Sequence, residues 1–476
     1  MKAYKNILNG VLVESPESFK SINPATLEEL GSVPYSTPDQ IDATVEAAKR
    51  AQKSWAALPD QERVAYILNI AELFGEHGEF LAELLTREQG KPLGGTGPQD
   101  VPGSRFEIAG CEAWTRIPAN LSLPSEVVYE DDSRRDELYR LPLGVVAAIT
   151  PWNWPLMIAV WQIIPALRMG NTVVIKPSEY TSIGTLEMVR LMADILPVGV
   201  INSVTGKGDV GSRLVDHPDV NKIMFTGSTE TGLKIAARAA ARLVPVTLEL
   251  GGNDAAVVLE DAEPSKIAAD LFWGAFLNGG QTCACAKRIY VHESIHDELI
   301  NQFKTLLKAM PVGDGMKPGI AFGPLQNKVQ LDKVVHLLDD AKSEGATVYE
   351  GYEPSEKNGY FMPLTIVTGI KDGCRLVDEE QFGPVLPIIS YSNLDDVIKA
   401  ANKLAVGLGA SVWSSNIQRA QAVAIQLEAG TVWINKHGAV HPLVPFGGLK
   451  KSGMGVEFGV EGLKAVCQTR VITTFK

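Results

Sequence analysis

Between residues 144 and 205 short apolar runs alternate with longer amphipathic segments, and the same alternation returns between residues 255 and 435. Residues 144–150, 172–176 and 200–205 read as strands, and 156–168 and 182–196 as helices. Strands that run parallel need helical crossovers, so this alternation predicts a parallel sheet covered by helices. The second series opens with a strand at 255–259, continues through a helix at 265–277, a strand at 288–292 and a helix at 295–309, and runs on to a strand at 432–435. The fold class expected is α/β, with two domains meeting near residues 249–254. A chain of 476 residues exceeds what one hydrophobic core usually supports, which agrees with that division.

The first element is expected at Thr37-Pro38-Asp39-Gln40, where a capping hydroxyl, a proline and a glutamine mark a helix start. Residues 62–88 read as two further helices broken around Gly75 and ended at Gly90-Lys91-Pro92, an α-rich opening. No charged residue occurs from Leu141 to Leu167, long enough to span a bilayer, but four prolines with Asn153 and Gln162 identify buried strand, loop and helix instead. A net charge of −12 offers no positive field for polyphosphate, so nucleic acid is not expected as a partner. Five scattered cysteines without paired spacing argue against a disulfide framework or a zinc site, and no metal is expected. The opening MKAYKNILNG lacks the apolar core of a secretory signal, so a cytoplasmic setting is expected.

Several turns carry chemistry. Gly206 to Gly211 matches GxGxxG after a strand, a weak signal that a plain turn satisfies equally. Phe225 to Gly232 repeats the strand, small residues, helix arrangement, in which backbone N–H groups at a helix start can approach a phosphate. Lys176-Pro177-Ser178-Glu179 follows a strand, where ligands of open α/β sheets collect; the pair can grip ribose hydroxyls or form a surface ion pair. A glutamate facing the ribose would repel a 2′-phosphate and so favour NAD over NADP. Gly279-Gly280-Gln281-Thr282-Cys283 places a thiol in a glycine-rich bend, which needs electropositive help to react at neutral pH.

Together with Pro151 to Pro155, Leu248 to Asn253, Glu380 to Pro384 and Pro445 to Gly453, these motifs resemble the NAD(P)-dependent aldehyde dehydrogenase superfamily over nearly the whole chain. The resemblance implies two doubly wound parallel-sheet domains and a small β oligomerisation flap. Residues 1–120 and 140–251 would form the cofactor-binding domain, 252–451 the catalytic domain, and 121–139 with 452–476 the flap and C-terminal tail. Thr469 to Phe475 would join the flap, and a homodimer or homotetramer is implied. The Phe225 to Gly232 turn, with Gly227 and Ser228, would meet the pyrophosphate, which leaves the Gly206 turn near the adenosine. Lys176 and Glu179 would bind ribose, Trp152 line the adenosine side, Glu380 hold the nicotinamide ribose and Phe382 pack beside the ring.

An aldehyde gives up hydride readily only after a nucleophile has made its carbon tetrahedral. By the resemblance Cys283 is that nucleophile, Asn153 with the Cys283 N–H forms the oxyanion hole, and Glu249 is the base that hydrolyses the thioester. Two departures stand out. Gln162 follows Trp161 where family members commonly carry a lysine linked to a proton path, so a relay through Gln162 and Glu457 to Glu249 is in doubt; Val456 replaces a frequent arginine. Trp154, Met157, Ile158, Trp161, Leu277, Thr282, Ala284, Gly438 and Val440 would line the substrate tunnel, with Cys285 a further lining thiol or a redox partner of Cys283. These side chains are neutral, which predicts an uncharged aromatic or medium-chain aliphatic aldehyde. Betaine- or amino-aldehydes, caged by tryptophan, are the alternative. A CoA-acylating semialdehyde dehydrogenase is the rival reaction, against which Glu249 argues.

Overall fold

The computed structural model describes residues 2–95, 100–354, 356 and 358–476. The chain opens on two antiparallel hairpins, Asn6–Leu8 with Val11–Val13 and Glu17–Ile22 with Glu29–Tyr35, ahead of the first helix. Both precede Thr37, the first element expected from the sequence, and Asn9-Gly10 at φ 52° and 76° is the turn pair that favours a tight hairpin. Helix α1 (Pro38–Ala57) starts as expected: the Thr37 hydroxyl accepts from the Gln40 N–H and the Gln40 side chain returns to the Thr37 N–H. Helix α2 (Asp60–Gln89) is continuous, not two helices. Gly75 is exposed and costs only about 1 kcal/mol in a helix interior, which the buried stripe of Ile67, Ile70, Phe74, Leu81 and Leu85 outweighs. Helix α3 (Ser104–Ala119) packs on α2 and on α4 (Pro155–Arg168).

Two mixed sheets form the body. The first has the order Gly453–Met454, Val246–Glu249, Val220–Thr226, Val145–Ile149, Thr172–Lys176, Ile201–Ser203, all parallel except the first. Val145–Ile149 and Thr172–Lys176 are buried at every position, as parallel strands covered on both faces must be. Helix α4 with α5 (Ser182–Ile195), α6 (Gly208–Asp216) and α7 (Thr229–Ala240) make the crossovers. Strand order reverses between Val145–Ile149 and Val220–Thr226, so the loops leaving those two strands diverge and open a crevice at their carboxyl ends.

The second sheet has the order Thr347–Glu350, Thr365–Thr368, Val385–Tyr391, Ala286–His292, Asp254–Val258, Gly409–Trp413, Thr431–Ile434, parallel apart from its first strand. Residues 250–253 alone join Glu249 at the end of one sheet to Asp254 at the start of the other. The carboxyl end of the first sheet therefore lies against the amino end of the second. Helix α8 (Pro264–Phe276) precedes Ala286–His292, which puts the intervening Leu277–Cys285 bend at that junction. Glu126–Glu130, Arg134–Pro142 and Cys467–Phe475 form a separate antiparallel sheet in which Phe475 pairs with Arg134. Residues preceding Cys467 lie elsewhere: Gly453–Met454 borders the first sheet, and the Gly459–Lys464 helix packs on α4. No helix among the described residues is long and apolar enough to cross a membrane.

Candidate active site

At the junction of the sheets Asn153 lies against the bend that carries Cys283. Asn153 follows the Val145–Ile149 strand and is buried; its Nδ2 donates to the Gln281 carbonyl at 3.0 Å, and a primary amide retains a second N–H. Next to it, Trp154 Nε1 donates to Thr282 Oγ1 at 2.9 Å. The bend carrying Cys283 turns through three left-handed residues, Asn278, Gly279 and Gly280, at φ 55°, 64° and 73°. A Cβ on Gly280 would meet the Gly383 carbonyl oxygen at 2.3 Å, so glycine is required there. Burial pushes the Cys283 thiol well up, and the carboxylates of Glu249, Asp254 and Glu380 push it in the same direction.

Glu249 ends the Val246–Glu249 strand, is buried, and has no hydrogen-bond partner for either carboxylate oxygen among the described residues. Burial, then the charge of Glu457, raises its pKa well above the usual carboxylate range. Burial also pushes Glu457 up to about 8, an effect opposed by Lys222. Lys222 is buried on the Val220–Thr226 strand, donates to Thr247 Oγ1 at 2.7 Å, and is lowered by that burial to about 8. Gln162 Nε2 donates to Thr226 Oγ1 at 3.1 Å. Residues 222, 224 and 226 share one sheet face with 247 and 249 on the neighbouring parallel strand, so Lys222, Thr226 and Glu249 open onto the same layer under α4. Val456 packs against Gly447, beside Glu249.

A cavity of about 390 Å³ contains Cys283 in its wall. Trp154, Met157, Ile158, Trp161, Leu277, Thr282, Ala284, Gly438 and Val440, which the resemblance implied for a substrate tunnel, all line it. Cys285 does not: it is buried behind the bend with its thiol toward the Leu277 carbonyl at 3.7 Å, which corrects its expected place in the lining. Phe106, Ala109, Gly110, Ala113 and Trp114 of α3, with Ala439 and Phe446, complete the wall and were missed. Their signal was helical spacing along α3, which reads the same whether a face meets core or cavity. Gly110 belongs there because a Cβ would lie 2.6 Å from Met157 Sδ.

The remaining candidates lie around the crevice. Ser228 caps α7, accepting from the Thr231 N–H at 3.3 Å, and Gly227 precedes it with its N–H on the Glu249 carbonyl. Lys176 is buried, donates to the Pro177 carbonyl at 3.0 Å and stands 3.8 Å from half-buried Glu179. Asp209 of the Gly206–Gly211 turn opposes the burial that lowers the Lys176 pKa, and Gly211 packs on the Lys176 stem, so that turn adjoins the lysine. Glu380 Oε1 accepts from the Gly252 N–H at 3.2 Å, and burial raises its pKa. Phe382, at φ 54°, meets Trp152 edge to face at 5.4 Å. Trp152, expected toward the adenosine side, thus shares the Phe382 end of the crevice.

The same fold and residue order recur in known proteins. The family model described as "Aldehyde dehydrogenase family" matches residues 12–472. The chain is 38% identical to phenylacetaldehyde dehydrogenase of Pseudomonas fluorescens, covering 97% of this chain and 93% of that one. It is 36% identical to peroxisomal aminoaldehyde dehydrogenase 1 of Pisum sativum, covering 96% and 92%. An NAD+ complex of aldehyde dehydrogenase from Bacillus cereus superposes with a TM-score of 0.95 at 34% identity, covering 100% of this chain and 97% of that one. The chain belongs to the aldehyde dehydrogenase family and is an enzyme that oxidises aldehydes.

Proposed function

We propose that this enzyme converts an uncharged aromatic or medium-chain aliphatic aldehyde to its carboxylic acid with NAD, using Cys283 as nucleophile, Asn153 as oxyanion donor and Glu249 as base. The observation that carries the substrate reading is the lining of the cavity, which holds no charged side chain among the described residues. A carboxylate tail there would lose its hydration without gaining a partner. The alternative of a cationic tail is weakened at Trp154, whose ring already has the Lys91 ammonium 3.5 Å from its centroid.

The crevice fits the nicotinamide coenzyme. Lys176 is a buried ammonium with one carbonyl and a distant carboxylate, which leaves donors for ribose hydroxyls. The α7 start at Ser228 is exposed toward solvent, and Gly251 passes Glu380 where a Cβ would lie 2.7 Å from its carboxylate. When bound, NAD supplies a cationic ring and the acceptor for the hydride. Cys283 adds to the aldehyde carbon as the thiolate, its proton released to solvent, and the alkoxide is held by the free Asn153 N–H and the Cys283 backbone N–H. Loss of hydride from that carbon leaves an acyl thioester on Cys283. Glu249 takes a proton from water, hydroxide adds to the acyl carbon, and the thiolate leaves. With Gln162 uncharged, the buried cation near Glu457 is Lys222, whose charge favours the ionised form of Glu457.

Initial rates with benzaldehyde, hexanal, betaine aldehyde and succinate semialdehyde, each with NAD and NADP, test this reading. Benzaldehyde or hexanal with NAD should give the highest kcat/KM, exceeding succinate semialdehyde by roughly 10²-fold. The best value with succinate semialdehyde overturns the cavity reading, and the best with NADP overturns the role of Glu179. A cytoplasmic homodimer or homotetramer completes the proposal. The oligomer is supported by the flap sheet, where Val127, Val128, Tyr129, Val471, Ile472 and Phe475 are exposed apolar residues on edge-lying strands. Light scattering should return a mass two or four times that of the chain; a monomer at micromolar concentration removes this part.

A further inference from the structure

Lys91 and Glu107 form an ion pair at 2.5 Å whose side chains are 1% and 0% exposed, and neither belongs to the reacting groups assigned above. Lys91 is held at the end of α2 by left-handed Gly90 and rigid Pro92. Its Nζ also donates to the Asn153 carbonyl at 2.9 Å and lies over the Trp154 ring. The other oxygen of Glu107 accepts from the N–H groups of Leu156 and Met157 at 2.9 and 3.1 Å. Those two donors are the first free N–H groups of α4, because Pro155 has none and Trp154 supplies no side-chain cap. A carboxylate there also suits the positive end of the helix. The pair therefore ties the peptide of Asn153 from both sides, by its carbonyl and by the helix start that follows it. Asn278 Nδ2 gives the same carbonyl a second bond at 2.9 Å, from the bend that carries Cys283.

We propose that the buried Lys91–Glu107 pair is the positioning element of the oxyanion hole, fixing the Asn153 backbone so that its side-chain N–H points at the oxygen of the aldehyde bound to Cys283. Neither residue touches substrate; both act through Asn153. The inference rests on the role proposed for Asn153, and its test separates the two. Removing one charge alone would strand the other in the core, so the informative variants are the double K91M/E107Q, which removes both, and K91R, which keeps the pair but substitutes a planar guanidinium for the ammonium. Each is made in the parent and in an N153A background, and the NADH burst is followed at saturating aldehyde.

The double variant should slow the burst rate by about 10- to 100-fold with KM within about threefold, and K91R should slow it by a smaller factor. In the N153A background the same substitutions should cost under about threefold more, because the group through which they act is gone. Loss of folded enzyme alone would lower the burst amplitude and leave the rate, which overturns the proposal. So does a parental rate in K91R together with K91M/E107Q, or a loss that multiplies fully with N153A. Should the double variant not fold, the K91R rate with and without Asn153 decides alone. A parental burst rate in N153A removes the oxyanion role itself, and this inference with it.

Discussion

Cys283→Ser is expected to lower kcat by about 10³-fold or more, with coenzyme binding retained. The reason lies in the electrostatics of the site. Burial and three carboxylates, Glu249, Asp254 and Glu380, already hold the thiol far above its ordinary pKa, so the enzyme without coenzyme carries it protonated. A cationic nicotinamide is what offsets that bias, and a hydroxyl, far less acidic than a thiol, gains too little from it. The variant should show neither steady-state turnover nor an NADH burst, while NAD still quenches tryptophan fluorescence as in the parent. By the same argument iodoacetamide should label Cys283 of the parent faster once NAD is present. A serine enzyme that turns over at the parental rate ends the covalent reading.

Glu249→Gln is expected to separate the two halves of the reaction. The burst of NADH should persist, since it precedes the base, while steady-state turnover falls by about 10²- to 10³-fold as acyl-enzyme accumulates. Its pH dependence has a fixed sign. Glu249 acts only when ionised, and burial with the charge of Glu457 raises its pKa, so kcat should climb with pH along a limb displaced well above the ordinary carboxylate range. The Gln variant should lack that limb. Glu457→Gln removes the like charge and should move the limb to lower pH; a limb that stays in place, or survives in Glu249→Gln, would assign the base elsewhere.

Much of this site was legible because parallel sheets write it plainly. Strands buried on both faces read as unbroken apolar runs, and the functional turns follow their ends: Asn153 after one, Lys176 after the next, Gly227 and Ser228 after a third. Cys283 stood out because three consecutive left-handed residues demand an unusual composition, and two of them are glycine. The α3 side of the cavity stayed hidden for the opposite reason. Phe106, Gly110, Ala113 and Trp114 follow helical spacing, and nothing in that spacing distinguishes packing against a core from facing an open volume. Cys285 was misplaced by its nearness to Cys283, because residues 283–285 form a turn, in which side chains two positions apart point to different spaces.

The order of elements and the turn chemistry were determined by the sequence itself, because each depends on local backbone requirements and on short apolar patterns, and the residues proposed as nucleophile, base and amide stand in the motifs that carry the family resemblance. Which side chains share a space was decided only by the tertiary structure. Glu249 has no hydrogen-bond partner among the described residues, Lys222 instead of residue 162 is the buried cation beside Glu457, and Lys91 reaches the Asn153 carbonyl across 62 positions of chain. Those relations arise from sheet order and from the four-residue link that abuts one sheet on the other, and contacts between distant segments leave no periodic trace in the chain that makes them.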